Sequence, residues 1–466
     1  MIGSAPAGGQ SVPDPIISSD SAATNQLELA LQRDLAMSYQ QFTQAGETAW
    51  QASRLRQQLG TGFKAEDVMV SNQNEITVLV DSPAEASLVT SFDALPIPRQ
   101  APFDSPFQAP LHRLARVVGP PAGSPVASIS GTACTLAFWG YQRSGKPVAL
   151  TSGHCNSDAG SAVSEFVGAK PFSEAGRLAS KAFGSYTTTA FGDGYDVAVI
   201  EAAPGVAANS LIHRWSSRRD LAVTGQVEPV VGAPVCKSGA ATGWTCGVIT
   251  SATRNYTLQE AGSPSVYAFS TSLCSASGDS GAPVVTGSLA VGILSAGSFD
   301  IRSGDSAAAC KMATQVTRFR EDALAYWPQV NWSGLEKMLN TQPGNLIMSA
   351  VFPLVSDGPS VNRLLGDDWQ LAVHVKPPQV VKASAGRTKT VIKGRVKLRD
   401  HRPSDWRVAI RLQGKTKVVQ VDSSGAFAVK FAKISKTTSY TMTVQHKSDR
   451  HLRSSKLKGT VKPTTR

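Results

Sequence analysis

Three short stretches carry the residue types that cleave an acyl bond. Ala149-Leu-Thr-Ser-Gly-His154-Cys155 contains an imidazole. Gly194-Tyr-Asp196-Val-Ala-Val-Ile200 sets a carboxylate directly before an apolar run. Ser277-Gly278-Asp279-Ser280-Gly281-Ala282-Pro283 places a hydroxyl between glycines. A serine hydroxyl is a poor nucleophile until a hydrogen-bonded imidazole takes its proton. A buried carboxylate then fixes the imidazole tautomer and stabilises its charged form. Asp193 competes with Asp196 for the third role, and Asp196 is preferred because residues 197–200 are apolar and follow it directly.

These groups must be held by a scaffold, and residues 126–310 have the pattern of one. Short runs rich in Val, Ile, Ala, Phe and Thr, at 147–151, 196–201, 247–250 and 283–285, alternate with Gly, Ser and Asp. That spacing predicts an all-β barrel or sandwich. All six cysteines, Cys134, Cys155, Cys236, Cys246, Cys274 and Cys310, fall in this segment. An even set confined to one segment argues for disulfides and an oxidising compartment.

At 466 residues the chain exceeds one compact domain. Residues 1–25 read as a flexible leader. Apolar residues recur at helical intervals over 27–59, with Gly60 and Gly62 ending the pattern, and 67–70 and 75–80 read as a β-hairpin. The proline-rich stretch 95–125 reads as a linker, 314–327 as a helix, and 331–375 resists classification. Strands return at 415–421, 426–431 and 440–445, predicting a small β-sandwich. Residues 376–466 hold 23 Lys and Arg against four Asp and Glu, a net of +19, so the remainder carries −7. The basic segment is suited to a polyanionic surface, with solubility as the alternative use of its charge. No apolar run is long enough to span a bilayer. The first ten residues lack the basic and apolar regions of a secretory signal, so an extracellular location would require a signal outside this chain.

The catalytic stretches, together with Val235-Cys-Lys-Ser-Gly-Ala-Ala-Thr-Gly-Trp-Thr-Cys246-Gly247, resemble the α-lytic protease and streptogrisin group, the bacterial branch of the chymotrypsin-fold serine proteases. The resemblance runs from about residue 128 to 327. It implies a mainly β fold with a chymotrypsin-like double β-barrel, and a triad of His154, Asp196 and Ser280. It further implies an oxyanion hole from the N–H groups of Gly278 and Ser280, and disulfides 134–155, 236–246 and 274–310, one of fifteen possible pairings. Ser295, Ala296 and Gly297 fall where the group pairs with the substrate backbone, with the Ser295 hydroxyl on Asp196. Ser275 and Ala276 fall where it lines the specificity pocket. Both are small and uncharged, which favours uncharged substrate side chains. Lys237 stands where the group usually has Arg, which implies a buried pair with Asp279. Two departures are Ser152 and Ala282, where the group has Ala and Gly.

Residues 27–92, especially Gln32-Arg-Asp-Leu35, resemble the pro-regions of such enzymes. The expected organisation is a leader (1–25), a small α+β pro-domain (26–94), and a linker with the processing site near Val117 (95–125). The barrels (126–345), a connecting segment (346–378) and an Ig-like basic sandwich (379–466) follow. The resemblance implies a secreted serine endopeptidase acting on peptides or proteins, made as a zymogen whose own pro-domain inhibits it, with no cofactor and no metal. The competing expectation is a catalytically silent barrel serving as a binding module at the cell envelope.

Overall fold

The computed structural model describes residues 26–60, 62–71, 73–99, 112–113, 125–128, 133–156, 160–167, 177–178, 182–213, 220–258, 262–297, 349–374, 376–386, 388–397, 405–447, 451–454 and 457–463. Two β-barrels form its centre. In the first, the sheet runs Trp139–Tyr141, Pro147–Thr151, Tyr195–Ala202, Gly184–Gly192, Ala162–Val167, Pro125–Ser128 and Ala133–Thr135. In the second, the sheet runs Leu289–Gly297, Pro283–Thr286, Pro234–Gly239, Gly243–Thr257, Ser265–Thr271 and Ser349–Pro353, and the last strand pairs back onto Leu289–Gly297. Such closure removes free strand edges. Every residue of Leu289–Gly297 and of Ser349–Pro353 is buried, so neither strand shows the alternation of a half-exposed one.

The last observation explains one difference from the sequence expectation. The connecting segment expected at 346–378 contains the barrel strand Ser349–Pro353, and also Gln370–Val373. The helix expected at 314–327 lies outside the described residues.

Two helices lie on the second barrel. In α1 (Gln26–Leu35), the buried residues Leu27, Ala30, Leu31 and Asp34 follow the i, i+3, i+4, i+7 stripe of one helical face. In α2 (Tyr39–Leu59), Ser38 and Gln41 form a reciprocal capping box, which satisfies otherwise orphaned N–H groups of the first turn. Its buried face includes Phe42, Ala45, Gly46, Ala49, Ala52 and Leu55. Gly46 is required by close approach, since a Cβ there would sit 2.7 Å from the Thr286 carbonyl oxygen. Beyond it, β1 (Val68–Val70) and β2 (Ile76–Val80) form the expected hairpin. The helix α3 (Pro83–Thr90) follows, and β3 (Leu95–Pro98) adds to β2 in parallel. Thus β3, in the stretch read as linker, belongs to this sheet. Its two prolines are tolerated because it is an edge strand and needs donors on one side only. The Val70 N–H donates to the Val231 carbonyl at 2.9 Å, tying this sheet to the second barrel.

The C-terminal segment packs a sheet of Lys376–Ala385, Lys389–Lys397 and Ala426–Ala432 over one containing Trp406–Leu412, Lys415–Gln420, Thr438–His446 and Leu457–Val461. The second of these is continuous with the first barrel. Gln370–Val373 pairs antiparallel with Trp139–Tyr141 and parallel with Leu452–Ser454. Trp369 is fully buried at this seam against Gly140, where a Cβ would fall 2.2 Å from the indole.

Candidate active site

His154 sits on the short 3-10 turn Gly153–Cys155 that ends the Pro147–Thr151 strand, and Asp196 opens the Tyr195–Ala202 strand. Gly153 allows the turn to approach, because a Cβ there would lie 2.1 Å from the Ala190 carbonyl oxygen. The His154 Nδ1 is 2.9 Å from Asp196 Oδ2, and the His154 backbone N–H donates to Oδ1 at 3.0 Å. A carboxylate can only accept, so Nδ1 carries the proton and Nε2 is the basic nitrogen. The Ser295 hydroxyl donates to Asp196 Oδ2. Both His154 and Asp196 are buried. Asp193 takes a positive φ of 52° in the turn before the strand and makes none of these contacts.

One carbonyl gathers the segments that carry these residues. The Leu294 oxygen accepts from the Ser152 hydroxyl at 2.7 Å and from the Gly281 N–H at 2.8 Å. Ser152 precedes His154 by two residues, Gly281 follows Ser280, and Leu294 precedes Ser295. The two departures from the group pattern are therefore accommodated. Ser152 has a buried acceptor, and Ala282 is buried with its N–H on the Asp279 carbonyl at 2.8 Å.

The Ser280 loop is bent by Gly278 at φ 98° and Gly281 at φ 86°, conformations that favour glycine. At Gly281 the space is closed as well, since a Cβ would lie 2.2 Å from both the Thr135 carbonyl oxygen and the Thr151 hydroxyl. The Thr135 hydroxyl donates to the Gly278 carbonyl at 2.8 Å, and the Thr135 N–H donates to the Ser280 carbonyl at 2.7 Å.

Asp279 is fully buried, and Lys237 Nζ lies 3.1 Å from its Oδ2. The same carboxylate accepts from the backbone N–H groups of Ala241, Thr242 and Ala276 at 2.9–3.0 Å, and from the Thr242 hydroxyl at 2.6 Å. Burial lowers the Lys237 ammonium below its ordinary 10.5, against the attraction of Asp279.

Ser275 and Ala276 are buried beside the loop. The Ser275 hydroxyl is 2.7 Å from that of Ser349, whose proton goes to the Leu273 carbonyl at 2.8 Å. Ser275 is therefore the donor of that pair. The place of Ser349 beside Ser275 was not legible in the sequence. It arrives through pairing with Gly297, 52 positions earlier, and its segment has no alternation that marks a face. Ala296 and Gly297 pair with β4 (His112–Arg113), a two-residue strand from the linker, in antiparallel register Ala296 to Arg113 and Gly297 to His112.

Disulfides join Cys134 to Cys155 and Cys236 to Cys246. Cys274 is disulfide-bonded too, while Cys310 lies outside the described residues. Cys134 and Cys155 cluster with His154, but their sulfurs are bonded to each other and provide no thiolate for a metal.

Residues 128–321 match the family model described as Trypsin. Serine protease 2 of Streptomyces fradiae is 30% identical over 184 residues, which span 39% of this chain and 97% of that relative. The chain belongs to the trypsin family of serine proteases. Streptogrisin-C of Streptomyces griseus is 37% identical over 111 residues, which span 24% of each protein, so most of that relative has no counterpart in the match. Among solved structures, Thermobifida fusca protease A is 29% identical, covering 40% of this chain and 87% of its own, with a TM-score of 0.32. The family match thus takes in the barrel strands from Ala133–Thr135 to Leu289–Gly297, while the closing strand Ser349–Pro353, the helices, the hairpin sheet and the basic sandwich lie outside it.

Proposed function

We propose that this trypsin-family chain is a secreted serine endopeptidase, made as a zymogen, that cleaves peptide bonds beside uncharged side chains. The observation that carries the reading is the Asp196–His154 pair, with Ser152 beside it and Gly281 of the Ser280 loop sharing the Leu294 carbonyl. Ser280 Oγ attacks the scissile carbonyl while His154 Nε2 takes its proton. The Gly278 and Ser280 N–H groups donate to the oxyanion. His154 then returns the proton to the leaving amine, giving an acyl-enzyme, and a water activated by His154 Nε2 hydrolyses the ester and restores Ser280.

The pocket side chains support uncharged preference. Ser275 and Ser349 satisfy each other and carry no charge to receive a Lys or Arg. Substrate strands would add antiparallel to Ser295, Ala296 and Gly297. The linker strand β4 holds that edge in the uncut chain, which supports intramolecular inhibition lifted by a cut just beyond Arg113. Buried disulfides suit an oxidising, extracellular setting. Among the described residues, no helix is long and apolar enough to cross a membrane.

Intact-mass spectrometry with a fluorophosphonate probe tests the reading. One adduct on the wild type, absent from Ser280→Ala, is the expected result, together with cleavage within 114–125 in the wild type alone. A cut chain that takes no adduct would replace the enzyme by a binding barrel.

A further inference from the structure

The basic C-terminal sandwich has one face that its charge count alone does not reveal. In Lys389–Lys397, Thr390, Ile392 and Val396 are buried, while Lys389, Lys393 and Arg395 are exposed. In Ala426–Ala432, Phe427, Val429 and Phe431 are buried, while Ala428, Lys430 and Ala432 are exposed. The strict period of two sorts the cations onto the outer face.

The register then sets what each cation meets. Lys389 stands opposite Ala432, Lys393 opposite Ala428, Arg395 opposite Ala426, and Lys430 opposite Val391. Exposed antiparallel pairs are stabilised by opposite charges. Across this pairing each of these cations meets a small or aliphatic residue instead, and among the described residues the carboxylate that acts on the face is Asp422, through Arg395. In 376–466 the described carboxylates are Asp405 and Asp422, both outside these strands. Asp422 accepts from the Ser424 hydroxyl at 2.7 Å and from the Ser424 and Ala426 N–H groups at 2.9 Å, capping its own turn. The third strand carries Lys382 to the position opposite Lys393.

We propose that this face, built on Lys389, Lys393, Arg395 and Lys430, docks a linear, base-free polymer of repeated phosphates. Consecutive outward positions on a strand are about 7 Å apart, and neighbouring strands about 5 Å, so the cations form a flat grid rather than a pocket. A flat grid matches a chain of repeated charges better than a single small anion. Three of the four cations are lysines, compact point charges suited to phosphate oxygens. The alanines keep the surface low enough for an extended chain to lie along it. Among the described residues no aromatic side chain stands on this face to stack a base, which favours a base-free backbone over nucleic acid. The site is independent of the protease reading, because no residue in it takes part in bond cleavage.

The test uses the full chain carrying Ser280→Ala, to prevent self-cleavage, and fluorescent inorganic polyphosphate as the probe. Anisotropy is followed between 50 and 200 mM salt. With about four phosphates neutralised, log K falls with log salt at a slope near −3, roughly a 60-fold loss across that range. Lys389→Gln, Lys393→Gln, Arg395→Gln and Lys430→Gln together should abolish binding. Lys415→Gln, Lys433→Gln, Lys436→Gln and Lys458→Gln remove the same charge elsewhere and should change affinity less than about threefold, since they leave the phosphate contacts intact. Circular dichroism checks folding. If the first set unfolds, Lys393→Gln and Lys430→Gln singly should each lower the slope by about 0.7–0.9. Equal losses in both sets would mean diffuse attraction to net charge and would overturn the proposal. So would tighter binding to oligo-dT of equal charge, or to vesicles containing phosphatidylglycerol.

Discussion

Lys237→Met is the sharpest test of how the Ser280 loop is held. Methionine retains the unbranched stem and removes the ammonium that lies 3.1 Å from Asp279. Removing one partner of a fully buried pair costs about 3–5 kcal/mol. The lower end is expected here, because Asp279 keeps three backbone N–H donors and the Thr242 hydroxyl. Asp279 sits between Gly278 and Ser280, so a backbone shift at Asp279 moves both proposed oxyanion donors. A fall in kcat of about 10²–10³, with a smaller change in KM, is expected. The assay is turnover of a neutral peptide anilide, normalised to sites titrated with a fluorophosphonate, beside urea unfolding. Adding Asp279→Asn should recover part of the stability, with a coupling of about 2 kcal/mol across the double-mutant cycle. Full turnover per titrated site in Lys237→Met would refute the idea that this pair positions the loop, even if stability fell.

The lowered proton affinity of Lys237 has a signed consequence. The unfolded chain binds this proton more tightly, so wild-type stability should rise with pH as it climbs from the folded value toward 10.5, and Lys237→Met should remove that rise in urea titrations. Asp196→Asn leaves His154 with an acceptor of the wrong tautomeric demand; kcat should drop about 10⁴-fold with little change in melting temperature, and a tenfold drop or less would reassign the third role. Gly140→Ala places a methyl inside the Trp369 ring space; a loss of about 1–3 kcal/mol and faster tryptic release of the basic sandwich should follow, whereas an unchanged melt would mean that the continuous seam is not formed. Asp34→Ala removes the buried carboxylate that accepts the Cys246 N–H at 2.8 Å and leaves that donor unmet; α1 should become protease-sensitive at a cost of about 1–3 kcal/mol, and unaltered protection would show that the contact contributes nothing.

The turns that carry His154, Asp196 and Ser280 were readable because each is local. The bend at Gly153, the turn around Gly278 and Gly281, and the apolar run after Asp196 are set by neighbours in sequence, so their residue types reveal them. The helices at α1 and α2 and the β1–β2 hairpin were readable for the same reason, since period and capping act within a few residues. What only the tertiary structure decided depends on pairing between distant strands. Ser349 reaches Ser275 because Ser349–Pro353 closes the second barrel on Leu289–Gly297. The linker strand β4 reaches the opposite edge of that strand from 183 positions away, Arg113 pairing with Ala296. The basic sandwich joins the first barrel because Gln370–Val373 finds edges on both. A backbone edge offers the same N–H and C=O groups whatever its side chains, so composition marks a strand but not its partner. The sequence alone therefore determined which residues could do the chemistry, and long-range register decided what surrounds them.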